Sequence, residues 1–351
     1  MRLPCKGGDS LSSWYNFWRA GHPRQQIIFE ISTMKIIILD AKPLDDGDLD
    51  WAPLRAMGQV TLYPGTSPEE LAARIADADV VYTNKVPVRA AAFDAAPQLK
   101  LVSVLATGYD IIDVPVARAH GVTVCNVPAY STASTAQTTI ALLLELCHRA
   151  GAHSDAVHAG EWSRSPTFSF WKHPLTDLEG KNLLIIGMGA IGRRVATIAG
   201  ALGMQVIAAQ LPGREAAPDK KLLRLPLDEA LPIADVVSIH CPMTPQTRGL
   251  IDAARLARFK TGALLINAAR GPIVDDIAVR AALETGRLSG FAADVLASEP
   301  PPVDHPLFGA PNCILTPHIA WATPDSRRRN LEISVQNLRT FLEGTPQNVV
   351  S

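Results

Sequence analysis

The chain reads as an α/β protein with two doubly wound parallel-sheet domains, the second inserted into a discontinuous first. Three observations predict this. From Met34 onward, short apolar runs alternate with helical patterns, the rhythm of parallel strands joined by crossover helices. A glycine-rich strand-to-helix turn opens a second such series near Asn182, and one amphipathic helix is left over after that series ends. At 351 residues the chain is also longer than the ~250 residues at which single cores stop growing.

Residues 1–33 carry Gly7-Gly8 and a Trp14, Tyr15, Trp18 cluster, with no periodicity and no apolar signal-peptide core. They are read as an extension outside the fold, with Met34 as the candidate functional start and a docking arm as the alternative. Lys35–Asp40 reads as a buried strand. Ser67-Pro-Glu-Glu70 opens a helix: serine suits the cap, Pro68 the first helical position, and Glu70 closes a capping box. Asp79–Tyr82, Lys100–Leu105 and Val122–Cys125 read as further strands. A long helix is expected over Ser134–Ala150, then an irregular aromatic stretch over Gly160–Asp177.

The second series has strands at Leu183–Ile186, Val206–Ala209, Val236–Ile239, Ala263–Asn267, Phe291–Val295 and Ile314–Leu315. Six strands complete a dinucleotide-binding fold. The leftover helix follows Pro324, with Leu331, Val335, Leu338 and Leu342 on one face and Gly344 at its end. It is expected to return to the first domain. The division is then 34–133 with 322–351 as the substrate domain, and 134–321 as the cofactor domain, with the active site between them.

Composition narrows the function. Hydrophobic residues make up 47% and charged residues 19%, with a formal net charge of -1. That supports folded cores and gives no basic stripe for nucleic acid. Arg327, Arg328 and Arg329 are placed on the solvent face of the last helix. The five cysteines are scattered, without a Cys-x-x-Cys pair, so a reduced, cytoplasmic setting without structural zinc is expected. No apolar run reaches the ~18 residues of a membrane span; the longest, Thr138–Cys147, contains Glu145.

Leu183-Leu-Ile-Ile-Gly187-Met-Gly189-Ala-Ile-Gly192 follows a strand and opens a helix, the context that a dinucleotide fingerprint requires. Gly187 permits the tight turn, Gly189 lets the backbone approach a pyrophosphate, and Gly192 lets helix and strand pack closely. The helix N-terminus favours the phosphate charge. The next strand should end in an acid for the ribose hydroxyls. It ends in Gln210, with Arg214 nearby. NAD is the expected cofactor, and NADP stays open.

Three residues fall at or just past strand ends of the second sheet: Arg270, Glu299 and His318. Arginine offers a charged fork for a carboxylate. Histidine can donate a proton near neutral pH. A carboxylate beside it fixes its orientation and favours its charged form. Reduction of a 2-keto acid needs this set.

From Met34 to the C-terminus the chain resembles the D-isomer-specific 2-hydroxyacid dehydrogenase family. The resemblance is carried by Val104–Asp110, Asn126–Thr132, the glycine fingerprint, His240–Thr244, Asn267–Pro272, Asp294–Pro300 and Thr316–Trp321. Gly160–Arg164 and His318–Trp321 are most similar to the glycerate dehydrogenase, or hydroxypyruvate reductase, branch. The resemblance implies a flavodoxin-like substrate domain and an inserted Rossmann domain. It implies His318 as general acid/base, Glu299 as its partner, and Arg270 as the group that binds the carboxylate and polarises the carbonyl. Backbone amides near Ala106, Thr107 and Gly108 would also hold the carboxylate. Thr107, Met188, Ala190, Ile191, His240, Cys241, Pro242, Ala268 and Ala269 would join the glycines, Gln210, Arg270 and His318 around the cofactor. Asp294 would contact the nicotinamide carboxamide. The expected partners are a small-molecule substrate and a second copy of the chain, dimerised through the helix after Ser134, with no nucleic acid or membrane. An NAD-sensing binding protein and a phosphite-type dehydrogenase remain alternatives on this scaffold. A formate dehydrogenase is disfavoured, since such enzymes pair the histidine with glutamine and position 299 is glutamate.

Overall fold

The computed structural model describes residues 33–211 and 222–351. The extension up to residue 32 and Arg214 lie outside the described residues. The first sheet holds β1 (Lys35–Ile38), β2 (Gln59–Leu62), β3 (Val80–Thr83), β4 (Leu101–Val104) and β5 (Thr123–Cys125). Their order is β2-β1-β3-β4-β5, and all pair in parallel. The crossovers carry α1 (Ala52–Arg55), α2 (Pro68–Ile75), α3 (Ala90–Ala95) and α4 (Val114–Ala119). At the start of α2 the Glu70 carboxylate accepts the Ser67 N–H at 3.0 Å.

The chain then enters α5 (Thr132–His148) and α6 (Ala150–His158). The break between them falls at Arg149, in the left-handed region with φ of 49°, so the long helix ends two residues short of the expected Ala150. The second sheet holds β6 (Asn182–Ile186), β7 (Gln205–Gln210), β8 (Leu223–Pro226), β9 (Val236–Ile239), β10 (Ala263–Asn267), β11 (Leu288–Ala293) and β12 (Cys313–Leu315). Its order is β12-β11-β10-β9-β6-β7-β8, again all parallel. Between the strands lie α7 (Ala190–Ala201), α8 (Leu227–Ala230), α9 (Ala253–Leu256) and α10 (Asp276–Glu284). The last helix is α11 (Pro324–Leu342).

Central strands such as β3, β4, β9 and β10 are buried along their whole length. Strands covered on both faces read as continuous apolar runs, which is why the sequence exposes them. Two strands escaped that reading. β2 alternates exposed and half-buried positions, and β8 carries Pro226 at its end. Both are edge strands, where one dry face is enough and proline is tolerated. Among the described residues the second sheet therefore has seven strands, not six.

α11 returns to the first sheet. Leu331, Val335 and Leu338 pack with Ile36, Ile38, Val80 and Tyr82. Burying each such side chain contributes roughly 1.5–3 kcal/mol. Leu342 is only partly buried at the edge of this cluster, and Gly344 follows with φ of 72°. Within the arginine triplet, Arg327 departs from the expected solvent face. Arg327 pairs with Asp48 beside the first sheet and donates to the Leu44 carbonyl. Arg329 donates to the Tyr130 carbonyl at 3.0 Å. Arg328, bonded to its neighbour Asp325, and Arg329 both stay exposed on the helix surface. No helix among the described residues is long and apolar enough to cross a membrane.

Candidate active site

The C-terminal ends of both sheets face one cavity of about 660 Å³. One wall comes from the first sheet and the chain leaving it: Lys85, Ala106, Thr107, Gly108 and Tyr130. The other comes from the second sheet: Gly189, Ala190, Ile191, His240, Cys241, Pro242, Ala268, Ala269, Arg270, Asp294 and His318. Gly187, Met188, Gly192, Gln210 and Glu299 do not line it. Gln210 ends β7 and is exposed. Glu299 stands behind His318.

His318 Nδ1 lies 2.6 Å from Glu299 Oε2, which leaves Nε2 as the ring nitrogen available to the cavity. The other carboxylate oxygen accepts the Leu296 N–H at 3.0 Å. Burial pushes the Glu299 carboxyl up, but the hydrogen bond and charge of His318, helped by Leu296 and Lys85, hold it below its ordinary value of 4.5. His318 itself takes a left-handed backbone, φ 56°. Asp294, 1% exposed, holds the loop around it. Its Oδ1 accepts from the Thr316 hydroxyl at 2.6 Å and the Ile319 N–H at 2.9 Å, and its Oδ2 accepts the Ala320 N–H at 2.8 Å. Three charge-assisted bonds to one carboxylate compensate its burial.

Arg270 leaves a turn closed by Asn267, whose amide donates to the Arg270 carbonyl and accepts from the Ala269 N–H. Two glycines admit what surrounds it. A Cβ on Gly271 would collide with the Leu296 and Ala297 backbone, and a Cβ on Gly108 would collide with Nη2 of Arg270. The guanidinium thus lies directly against the loop of the opposite domain.

That loop is fixed from behind. Asn126 Nδ2 donates to the Thr107 carbonyl and Thr107 Oγ1 to the Val127 carbonyl. Two buried asparagines of α11 complete it: Asn330 donates to the Leu105 carbonyl at 2.8 Å, and Asn337 to the Asn126 carbonyl at 2.9 Å.

At the glycine-rich turn, Gly187 has φ of 105° and sits against the His240–Cys241 backbone, where a Cβ would collide. Gly192 sits against the Gly187 carbonyl. Among the described residues nothing lies within 4 Å of where a Cβ on Gly189 would be, and Gly189 caps α7. Open space at a helix N-terminus fits an anionic dinucleotide. His240 is half-buried beside it. Its Nε2 meets the Ser238 hydroxyl at 2.8 Å, while its Nδ1 has no hydrogen-bond partner among the described residues. Burial pushes its pKa down to about 4, so the ring is neutral. Among the described residues, no group of three or more His, Cys, Asp or Glu side chains could hold a metal ion.

Reading the sequence missed Lys85, Asn84 and Asp110 as lining residues. Lys85 lies two residues past the end of β3, the same positional signal that marked Arg270. Tyr130 and Trp321, edge to face at 6.4 Å, also line the cavity.

A family model described as D-isomer specific 2-hydroxyacid dehydrogenase, NAD binding domain, matches residues 140–320. The chain is 44% identical over 321 residues to a hydroxypyruvate reductase of Blautia hydrogenotrophica, covering 91% of this chain and 100% of that one. It is 36% identical over 324 residues to a glycerate dehydrogenase of Methylorubrum extorquens, covering 91% and 99%. Among solved structures, it is similar to a D-lactate dehydrogenase from Aquifex aeolicus complexed with NAD and lactic acid. That match has a TM-score of 0.76 and 27% identity, and covers 89% of this chain and 96% of that one.

Proposed function

The chain belongs to the D-isomer specific 2-hydroxyacid dehydrogenase family, and from that premise we propose that it reduces hydroxypyruvate to D-glycerate, with glyoxylate as a second substrate. It is an oxidoreductase that moves hydride between a nicotinamide cofactor and a 2-hydroxy or 2-keto acid. The observation that carries the reading of the site is the joint position of Arg270 and His318 on one cavity wall, with Glu299 locked behind the histidine.

In this reading a bound dinucleotide supplies the hydride. Arg270 and the amides at Ala106–Gly108 hold the substrate carboxylate and turn the carbonyl carbon toward the cofactor wall. His318 delivers a proton from Nε2 to the carbonyl oxygen, and Glu299 stabilises the charged ring between turnovers. Gly187–Gly192, Ala190, Ile191 and the His240–Pro242 and Ala268–Ala269 segments hold the cofactor. We assign NAD as that cofactor; Gln210 offers a hydrogen bond to a ribose hydroxyl but no charge to repel a 2′-phosphate. Asp294 serves the His318 loop with both oxygens, and Oδ2 keeps a lone pair for a carboxamide.

We further assign the cofactor domain to 134–321, a homodimer and a cytoplasmic setting. Trp162, Phe168 and Trp171 are 53%, 90% and 68% exposed along the stretch that follows α5 and α6, an apolar surface that supports a second copy. The four described cysteines are free thiols.

The test is turnover of hydroxypyruvate, glyoxylate and pyruvate with NADH and with NADPH, in the wild type and Arg270→Gln. A charge-assisted fork contributes about 1.5–3 kcal/mol, so the variant should lose at least about tenfold in kcat/KM while binding NADH as before. Wild-type enzyme that reduces none of the three acids would sink the reading.

A further inference from the structure

The chemistry above leaves Lys85 unused. The turn that carries it is fixed by a buried carboxylate. Asp40, 4% exposed, follows the end of β1 and accepts the N–H groups of Asn84 at 2.7 Å, Lys85 at 2.6 Å and Val86 at 3.2 Å. Thr83 Oγ1 closes the turn on the Val86 carbonyl at 2.8 Å. Burial raises the Asp40 pKa, against the pull of these three bonds. A carboxylate taken out of water is costly, and here it is spent on holding one loop. The consequence is a rigid backbone at Lys85, whose side chain joins the wall shared by Gly108, Arg270 and His318.

Among the described residues the Lys85 ammonium has no hydrogen-bond or ion-pair partner. Burial, and then the nearby Arg270 charge, lower its pKa, with Glu299, Asp110 and Asp40 opposing. Two cations therefore border one space. The first is satisfied by the substrate carboxylate, and the carbonyl oxygen belongs to His318. What remains of a 2-keto acid is its third carbon. An ammonium has three donors and no acceptor. It gains from an oxygen on that carbon and gains nothing from a methyl group. Asp110 in the same wall opposes a further negative charge, which points to a hydroxyl rather than a carboxylate or phosphate.

Resting on the assignment of Arg270 and His318 above, we infer that Lys85 donates a hydrogen bond to a hydroxyl on the third carbon. It thereby selects 3-hydroxy-2-keto acids over their 3-deoxy counterparts. Hydroxypyruvate and pyruvate differ by that one oxygen, as do their products D-glycerate and D-lactate.

Lys85→Met and Lys85→Arg should be compared with the wild type in two experiments. In the first, the ratio of kcat/KM for hydroxypyruvate to that for pyruvate should fall at least about tenfold in Lys85→Met, and Lys85→Arg should retain most of it. In the second, calorimetry on the NADH-loaded enzyme measures D-glycerate and D-lactate, which cannot react with reduced cofactor. The preference for D-glycerate should shrink by a similar factor in Lys85→Met. Losses that fall equally on both members of each pair, or no loss, overturn the inference. Because the binding experiment needs no turnover, it decides the role of Lys85 even if the wild type reduces neither acid, a result that would instead overturn the proposed reaction.

Discussion

Gly108 and Arg270 meet across the cleft so closely that a Cβ on the glycine would overlap Nη2 of the guanidinium. The obstructing atom is the far end of a flexible side chain, which can move aside at little cost to the fold. Gly108→Ala should therefore keep the melting temperature within a few degrees while misplacing Arg270, the proposed carboxylate clamp. A small misplacement at a reacting centre can cost about 100-fold. We expect kcat/KM for a 2-keto acid to fall by at least about tenfold, with NADH affinity unchanged. Full activity in Gly108→Ala would show that Arg270 does not need its observed position.

Gly271 gives the opposite outcome. Its neighbours are backbone atoms of Leu296 and Ala297, which cannot swing away. They belong to the segment whose Leu296 N–H anchors Glu299. Overpacking of this kind costs about 1–3 kcal/mol. Gly271→Ala should lower the unfolding free energy by that amount and reduce activity together. A variant as stable as the wild type would show that this segment yields.

Glu299→Gln tests the charge behind His318. The carboxyl is held below 4.5 in the fold, so its ionised form contributes stability above that pH, and the contribution is lost as pH falls through the lowered value. Wild type and variant should differ in stability at neutral pH and converge in acid. In catalysis, removal of the negative charge should move the alkaline limb of the reduction profile to lower pH. A limb that stays in place would remove Glu299 from its assigned role.

His240 has the reverse sign. Its pKa is about 4 in the fold against 6.5 in the unfolded chain. Below 6.5 the unfolded state binds a proton that the folded state excludes, so stability falls as pH drops from 6.5 toward 4. The full effect is on the order of 3 kcal/mol. Urea unfolding at a series of pH values should show this slope, and His240→Gln should lose its share of it. An equal slope in the variant would mean that other groups carry it.

Gln210→Asp addresses cofactor choice. An acid at the end of β7 would accept from both ribose hydroxyls and repel a 2′-phosphate. The ratio of kcat/KM with NADH to that with NADPH should rise by roughly tenfold or more, equivalent to about 1.4 kcal/mol. If the wild type already rejects NADPH as strongly as the variant, another group excludes the phosphate.

The parts of this molecule that the sequence displays are those fixed by local pattern. β3, β4, β9 and β10 are continuous apolar runs because both their faces are covered. The Gly187–Gly192 turn is visible because only glycine tolerates the backbone and contacts of Gly187 and the close packing at Gly192. Arg270 and His318 stand out because parallel strands deliver chemistry at one end. What stayed hidden depends on distant pairs. Lys85 is placed by Asp40, 45 residues earlier, and Arg327 is turned inward by Asp48, 279 residues earlier. No window of residues contains such a pair. β2 and β8 hid for a different reason: an edge strand needs too few apolar positions to announce itself.

The two asparagines of α11 set an order of events. The carbonyls of Leu105 and Asn126 find their partners in Asn330 and Asn337, 225 and 211 residues later in the chain. A growing chain can form β1 to β5 long before it has made those amides, and during that interval the loop that would grip a keto acid has two unanswered carbonyls. Competence should therefore arrive abruptly, with the docking of the last helix, and not build up gradually as each domain folds. A chain halted before residue 330 would hold every strand of the second sheet beside a loop at Leu105–Asn126 that still lacks both amides.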